Sequence, residues 1–239
     1  MSSTLRRGLR DGLPIAFGYF PVSFAFGIFA VGQGLTPLEA TLISLLNVTS
    51  AGQLAGVPLL VSAAPYLELA LTELVINLRY ALMSVTLSQR LDRSVTLADR
   101  FAIAFVNTDE VFAVSTAQSG LVSRGYMYGL ILTPYLGWAM GTVFGALAGD
   151  ILPAILVSAL GIAIYGMFVS ILVPAARDSR SILAVELVAA AISVTVAYLP
   201  PLSFISGGFS IILSAVGASL LLAWLAPIKT DAREEGARE

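Results

Sequence analysis

The sequence predicts an all-α, polytopic helical membrane protein of about seven to eight segments, and three observations carry that prediction. Of its 239 residues, 57% are hydrophobic and only 12% are charged, and the mean hydropathy is +0.89, a balance foreign to soluble domains. Apolar stretches of about twenty residues recur along almost the whole chain, each long enough at ~1.5 Å per residue to cross a hydrocarbon core of about 30 Å. Backbone groups inside lipid must also bond within their own structure, which leaves helices or a closed barrel, and the run lengths favour helices.

Segment one spans Leu13 to Gln33. The preceding Arg6, Arg7 and Arg10 give it a superficial likeness to a signal peptide. It is too long for such an apolar region, lacks a small-residue cleavage site and leads straight into further spans. Inside it, Gly18-Tyr19-Phe20-Pro21-Val22-Ser23 carries a proline that removes an amide and frees a carbonyl one turn back, which predicts local unwinding. Segment two, Leu38 to Ser62, opens on Thr36-Pro37-Leu38-Glu39, an N-cap Thr with Pro at the first helical position and Glu at the third. It contains Asn47, Thr49, Ser50, Gly52, Gln53, Gly56 and Pro58, and a break is expected at Gly52-Gln53. Segment three, Tyr66 to Leu87, follows Pro65. Segment four, Leu97 to Gln118, starts at Thr96 with Asp99 and is interrupted by Asn107-Thr108-Asp109-Glu110. That interruption itself has the form of a capping box, so a helix start in mid-membrane is expected. In segment five, Tyr126 to Ala148, Gly137, Gly141 and Gly145 recur every four residues and make a close-packing face, for this chain or for a partner. Segments six to eight are Ile151 to Ala175, Ile182 to Leu199 and Phe204 to Pro227, with Asp150 and Ser203 marking two of the starts. Short connections predict a single transmembrane transporter domain over residues 1–228, followed by a polar, disordered cytoplasmic tail at 229–239.

Two topologies stay open. If every segment crosses from a cytoplasmic N-terminus, Arg90, Arg93 and Arg100 fall outside while Arg6, Arg7, Arg10, Arg124, Arg177, Arg180, Lys229, Arg233 and Arg238 fall inside. If segments two and four are re-entrant, entering and leaving on one face, all of these charges become cytoplasmic. An internal repeat is suggested by Ile43 to Gly52 aligning with Val157 to Gly166, an offset that also matches Gly27 with Gly141. Transporters are often built from duplicated halves.

The polar residues within apolar segments are the candidate functional residues. A charge at mid-bilayer costs about 2.5–3.5 kcal/mol on insertion scales, so such groups pair, face a cavity and serve transport. On a helix from Tyr66 to Leu87, Glu73, Asn77, Tyr80 and Ser84 form one stripe, whereas Arg79 lies about 200° around from Asn77. Arg79 therefore needs a counter-charge from another segment, and Asp109 or Glu110 is the obvious one. With no His in the chain, Asp109, Glu110 and Glu73 are the candidates for proton coupling. The breaks add Gly18, Tyr19, Pro21 and Ser23 in segment one, and Gly52, Gln53 and Asn77, as a candidate substrate site. Half-helix N-termini suit a carboxylate and unwound carbonyls an ammonium, so an amino acid fits both.

Zero Cys and zero His exclude disulfides, thiolate and imidazole metal sites, Ser-His-Asp triads and histidine relays. No metal or cofactor is expected. A net charge of −2 gives no reason to expect nucleic acid. Gly-x-Ser-Gly, Gly-x-Gly-Asp and His-Glu-x-x-His are all absent, which argues against an intramembrane hydrolase and for a protein that is not an enzyme.

Four stretches carry a family resemblance: Gly8 to Pro14, Gly18-Tyr19-Phe20-Pro21-Val22-Ser23-Phe24-Ala25-Phe26-Gly27, Asn77-Leu78-Arg79-Tyr80-Ala81-Leu82-Met83-Ser84, and Thr108-Asp109-Glu110-Val111-Phe112. With a looser match at Trp138 to Gly145, the chain resembles AzlC-type branched-chain amino acid permeases, the large subunit of a two-component exporter. The resemblance implies export of valine, leucine, isoleucine or methionine across the bacterial cytoplasmic (inner) membrane, driven by protons. It also implies a small, four-helix AzlD-type partner in the lipid bilayer. A cation or proton pathway without organic substrate, and a non-transporting assembly subunit, are the competing expectations.

Overall fold

The computed structural model describes residues 3–149 and 172–225 and, between them, residues 152, 153, 155, 159, 162, 166 and 169. The described residues are helical apart from turns and one isolated bridge between Leu91 and Val122. They divide into two compact units, Met1–Val169 and Ser170–Glu239. Most of segment six, including most of the stretch of the expected repeat at Val157 to Gly166, and the tail at 229–239 lie outside the described residues.

In the first unit, α1 (Ser3–Gly32), α4 (Tyr66–Ser88) and α7 (Arg124–Ala148) are long and apolar enough to cross a membrane. Between them lie two pairs of short helices, α2 (Pro37–Leu46) with α3 (Ser50–Val61), and α5 (Leu97–Phe105) with α6 (Asp109–Thr116). At 1.5 Å per residue each short helix is about 12–18 Å long, roughly half a hydrocarbon core. In the second unit, α8 (Arg180–Tyr198) and α9 (Gly207–Leu225) are again of spanning length. They pack on each other and are joined through a 3₁₀ turn at Pro200–Leu202.

Segment four is a re-entrant hairpin. Its two ends are stitched together: Asp92 N donates to Val122 O, Val122 N to Arg90 O, and Arg124 N to Ser94 Oγ. α5 therefore climbs from the level of Tyr128, which donates to Asp99, to a tip at Asn107. α6 then descends until Gln118 meets Arg7. Segment two is the corresponding hairpin from the opposite face. Val57 near the end of α3 returns to the cluster of Ala40, Phe26 and Ala30 from which α2 set out. Contacts to α6 fix the helix directions. Tyr19 touches Thr108 and Arg7 touches Gln118, whereas Arg79 touches Asp109 and Arg90 reaches the carbonyls of Thr116 and Gln118. α4 thus runs antiparallel to α1, and neither short pair crosses. The half-helices fit the re-entrant one of the two topologies that charge counting leaves open.

The described residues show a repeat distinct from the one expected at Val157 to Gly166, most of which lies outside them. α1 followed by the first hairpin, and α4 followed by the second, have the same element order in opposite directions. Their marker residues stand 60 apart, Thr36 with Thr96, Glu39 with Asp99, and Asn47 with Asn107. Both hairpins open on a reciprocal capping box, Thr36/Glu39 and Thr96/Asp99, which satisfies two orphan amides at each start. This is an inverted-topology repeat, the form common in transporters.

Three local expectations are corrected. The first helix begins at Ser3, ten residues before Leu13, because Gly8 and Gly12 let its N-terminal part lie directly on α7. A Cβ at Gly8 would sit 2.1 Å from Tyr126 O, and one at Gly12 would sit 2.6 Å from Leu130 O. No unwinding occurs at Pro21: α1 is continuous through Pro14 and Pro21, since contact along α7 holds the ladder together across the missing amides. The break in segment two falls at Asn47 to Thr49, which leaves Gly52 and Gln53 in the first turn of α3. The glycine face of segment five meets α1 of this same chain, with Gly137 on Ala16, Gly141 on Phe20 and Gly145 on Phe24. These matched levels make α1 and α7 parallel.

Candidate functional site

The two hairpin tips bring polar side chains to mid-depth. At the first tip, Thr49 Oγ1 donates to Asn47 Oδ1 at 2.7 Å. Glu73 Oε2 accepts from Asn77 Nδ2 at 2.8 Å and from Asn47 Nδ2 at 3.4 Å. The carboxylate is admitted against the backbone of α3 by two glycines. A Cβ at Gly52 would lie 2.5 Å from Glu73 Oε2, and a Cβ at Gly56 would lie 2.8 Å from Oε1. Beside it, between α2, α3 and α4, is a cavity of about 250 Å³ whose walls are almost wholly apolar. Leu42, Ile43, Leu46, Val57, Leu60 and Leu69 line it, and its polar groups come from Asn47, Gln53 and Glu73. Gln53 is 1% exposed. Its Nε2 donates to Ser44 Oγ at 2.9 Å, while its Oε1 has no partner.

At the second tip, Arg79 Nη1 lies 2.8 Å from Asp109 Oδ2, and both side chains are half exposed. Arg79 Nη2 also donates to Tyr80 Oη at 3.1 Å, and its guanidinium lies 4.9 Å from the Tyr80 ring centre. The long side chain therefore bends round to a member of the very stripe that its Cα faces away from. Asn107 Nδ2 donates to Ser84 Oγ at 3.1 Å, which ties the tip to the same stripe. From α1, Tyr19 Oη bonds Thr108 Oγ1 at 2.7 Å and also donates to Glu110. Asp109 and Glu110 occupy the first turn of α6, where carboxylates complement the helix dipole. α3 has neither an acidic residue in its first turn nor a side-chain cap.

Of the residues singled out from the sequence, Gln53 and Glu73 line the cavity, while Gly52 and Asn77 hold the Glu73 carboxylate in place. Tyr19, Arg79, Asp109 and Glu110 gather at the second tip. Gly18 and Pro21 lie on the exposed outer side of α1, Gly18 with nothing within 4 Å of a would-be Cβ. Ser23 is fully buried under Gly141 and bonds Phe20 O. These three are not brought to either tip. Sequence reasoning missed Ser44, Asn47 as a Glu73 partner, and Thr142, whose Oγ1 is 2.6 Å from Ser44 Oγ. The equal spacing of Thr36 to Asn47 and Thr96 to Asn107 was the signal that marks both tips. Among the described residues, no group of three or more acidic, His or Cys side chains is placed to hold a metal ion.

Comparison with known proteins follows this architecture. The family model described as "AzlC protein" matches residues 14–152, a span that takes in both hairpins and α7. The chain is 29% identical over 214 residues to the inner membrane protein YgaZ of Escherichia coli K12, covering 86% of this chain and 87% of that protein. It is 34% identical over 175 residues to an uncharacterized membrane protein of Archaeoglobus fulgidus, covering 72% and 76%. A Helicobacter pylori membrane protein shares 24% identity over 151 residues, 60% of this chain and 65% of that one. No solved structure matches. With more than half of its length matched by the family model, this chain of membrane-spanning helices and paired half-helices belongs to the AzlC family.

Proposed function

We propose that the protein is not an enzyme but a secondary active transporter. In this reading it exports branched-chain or other small hydrophobic amino acids, is coupled to protons and works with a small four-helix membrane subunit. Membership of the AzlC family supports a branched-chain amino acid transport component. The observation that carries the mechanism is the pair of half-membrane hairpins entering from opposite faces beside a small apolar cavity at mid-depth. Each hairpin closes the path to one side, so that opening one at a time gives alternating access. The face bearing the α1 N-terminus also carries Arg90, Arg93, Arg100 and Arg124. By the positive-inside rule it is cytoplasmic, and so is the N-terminus.

A cavity of about 250 Å³ lies just below the range of drug-sized ligand sites, about 300–1,000 Å³, and suits an amino acid with an aliphatic side chain. The uncapped first turn of α3 offers amides to the substrate carboxylate. Coupling is assigned to Asp109, with Glu110 beside it. Protonation of Asp109 removes both the ion pair to Arg79 and a negative charge at the α6 N-terminus, which loosens the second hairpin. Leucine counterflow in proteoliposomes, with and without the co-expressed small subunit, tests the transport reading. Asp109→Asn should abolish proton-driven efflux while leaving assembly intact. Efflux at the wild-type rate from that variant would end the coupling role, and absence of counterflow with the subunit present would end the transport role.

A further inference from the structure

We propose that Glu73 and Gln53 form the ammonium subsite of the transport site, selecting a primary ammonium carried on a short aliphatic body; this rests on the transport reading above. The first observation is a directed hydrogen-bond chain. Gln53 Nε2 donates to Ser44 Oγ, Ser44 Oγ lies 2.6 Å from Thr142 Oγ1, and Thr142 Oγ1 donates to the carbonyl of Trp138 at 3.2 Å. Because the last member only accepts, each hydroxyl must donate onward, and the Gln53 amide can present only its nitrogen to the chain. Its Oε1 is thereby left as an acceptor without a partner on a 1% exposed side chain that lines the cavity. An amide buried only to fill space would be satisfied at both ends, since an orphaned buried acceptor is expensive.

The second observation is the charge. Glu73 accepts from two neutral amides, and among the described residues no Lys or Arg is within ion-pair distance of it. Gly52 and Gly56 clear the α3 backbone so that the carboxylate can lie there. The cavity therefore offers acceptors of net negative charge and, Asn47 aside, walls of Leu, Ile and Val. An ammonium has three donors and no acceptor, and an attached aliphatic chain fills the remainder. A bare metal cation would leave those apolar walls without a role.

The test uses the full chain in proteoliposomes, with the small subunit present and no gradient, and measures equilibrium binding of radiolabelled leucine. In the wild type, 3-methylbutylamine, which keeps the ammonium and lacks the carboxylate, should displace leucine. 4-Methylpentanoate, which keeps the carboxylate and lacks the ammonium, and sodium should not. Glu73→Gln, which preserves shape, should raise the leucine Kd about tenfold or more and abolish competition by the amine. Gln53→Leu should raise the Kd by a smaller factor and also weaken amine competition. If Glu73→Gln binds leucine as tightly as the wild type, or if 4-methylpentanoate or sodium displaces leucine and the amine does not, the subsite is wrong while transport stands. If the wild type binds no leucine at all, the transport reading falls and the subsite with it.

Discussion

Two glycines separated by one helix surface should respond to the same substitution with opposite signs. In Gly145→Ala, the new Cβ would stand 1.9 Å from Phe24 O and 2.7 Å from Phe24 C, both backbone atoms that no side-chain rotation can move. Ordinary contact begins at 3.4 Å, so α1 and α7 must separate locally by about 1.5 Å. A gap of even 0.5–1 Å forfeits about a quarter to a half of each dispersion well, and this interface runs from Gly8 to Gly27 along α1. Overpacking of this kind costs about 1–3 kcal/mol or more, against a helix-propensity gain of about 0.5–1 kcal/mol from removing a glycine. The net effect is destabilising by up to about 2.5 kcal/mol. Gly18→Ala collects the propensity gain alone, because nothing lies within 4 Å of its Cβ. Thermal unfolding of the detergent-solubilised protein, followed by fluorescence-detected gel filtration, should show a lower Tm for Gly145→Ala and an equal or higher Tm for Gly18→Ala. Equal Tm values would refute the parallel, glycine-mediated contact of α1 with α7. Loss of transport in Gly18→Ala would restore that residue to the substrate path.

Other perturbations separate the hairpins. The chain has no Cys, so single cysteines at Ser94 and Gln33 can be labelled with a membrane-impermeant maleimide; they should react from opposite faces, Ser94 from the N-terminal face, and reaction of Ser94 from the other face would make segment two a full crossing. Thr96→Ala should destabilise more than Thr36→Ala, each by about 1 kcal/mol from the lost cap, because Asp99 also binds Tyr128 and Arg124; equal losses would show those contacts to be idle. Asp109→Leu should lower Tm by stranding Arg79, and Arg79→Leu added to it should recover most of that loss, whereas additive losses would mean that the two side chains do not interact. Hydrogen exchange of the full chain should be faster in α2 and α3 than in α5 and α6, and the reverse order would contradict a firmer anchoring of the second hairpin.

What was legible in the sequence was what depends on spacing along one helix. The capping boxes at Thr36 and Thr96, the helix start at Asp109 and the stripe from Glu73 to Ser84 follow from periods of three and four residues. The box expected at Asn107 to Glu110 does not form: Thr108 is the N-cap without a side-chain cap bond, because Asn107 is drawn to Ser84 and Glu110 to Tyr19. The Arg79 to Asp109 contact was accessible for a different reason: a cation within an apolar segment must find an anion, and few were available. Depth and direction were not legible. Residue spacing cannot distinguish a broken span from a hairpin; the pairing of Arg90 with Val122 and the shared core cluster of Val57 and Ala40 do so. The proline at 21 misled because the cost of a missing amide was weighed against an isolated helix, whereas α1 is held along its length by α7. The inverted repeat was not legible because its halves share three polar markers and little else.

The two hairpins share a backbone device but differ in what holds them. The second is secured at its base by charge-assisted bonds: Arg124 to Asp99 at 3.0 Å, Arg90 to the carbonyls of Thr116 and Gln118 at 2.9 Å each, and Arg100 to Ser88 O at 3.1 Å. At its tip it is held by Arg79 and Tyr19. Beyond its own capping box, the base of the first rests on apolar contacts of Ala40 and Val57 with Phe26 and Ala30, and a cavity separates part of it from α4. Fewer directional bonds and a void beneath it place the first hairpin at the low-stability end from which gating elements are drawn. The second, latched through carboxylates, is the one that a proton can release. A duplicated fold has thus been made unequal by a few side chains, so that ligand filling the cavity acts on one hairpin and protonation on the other. That division is what coupling requires, because a single gate answering to both signals would let either pass alone.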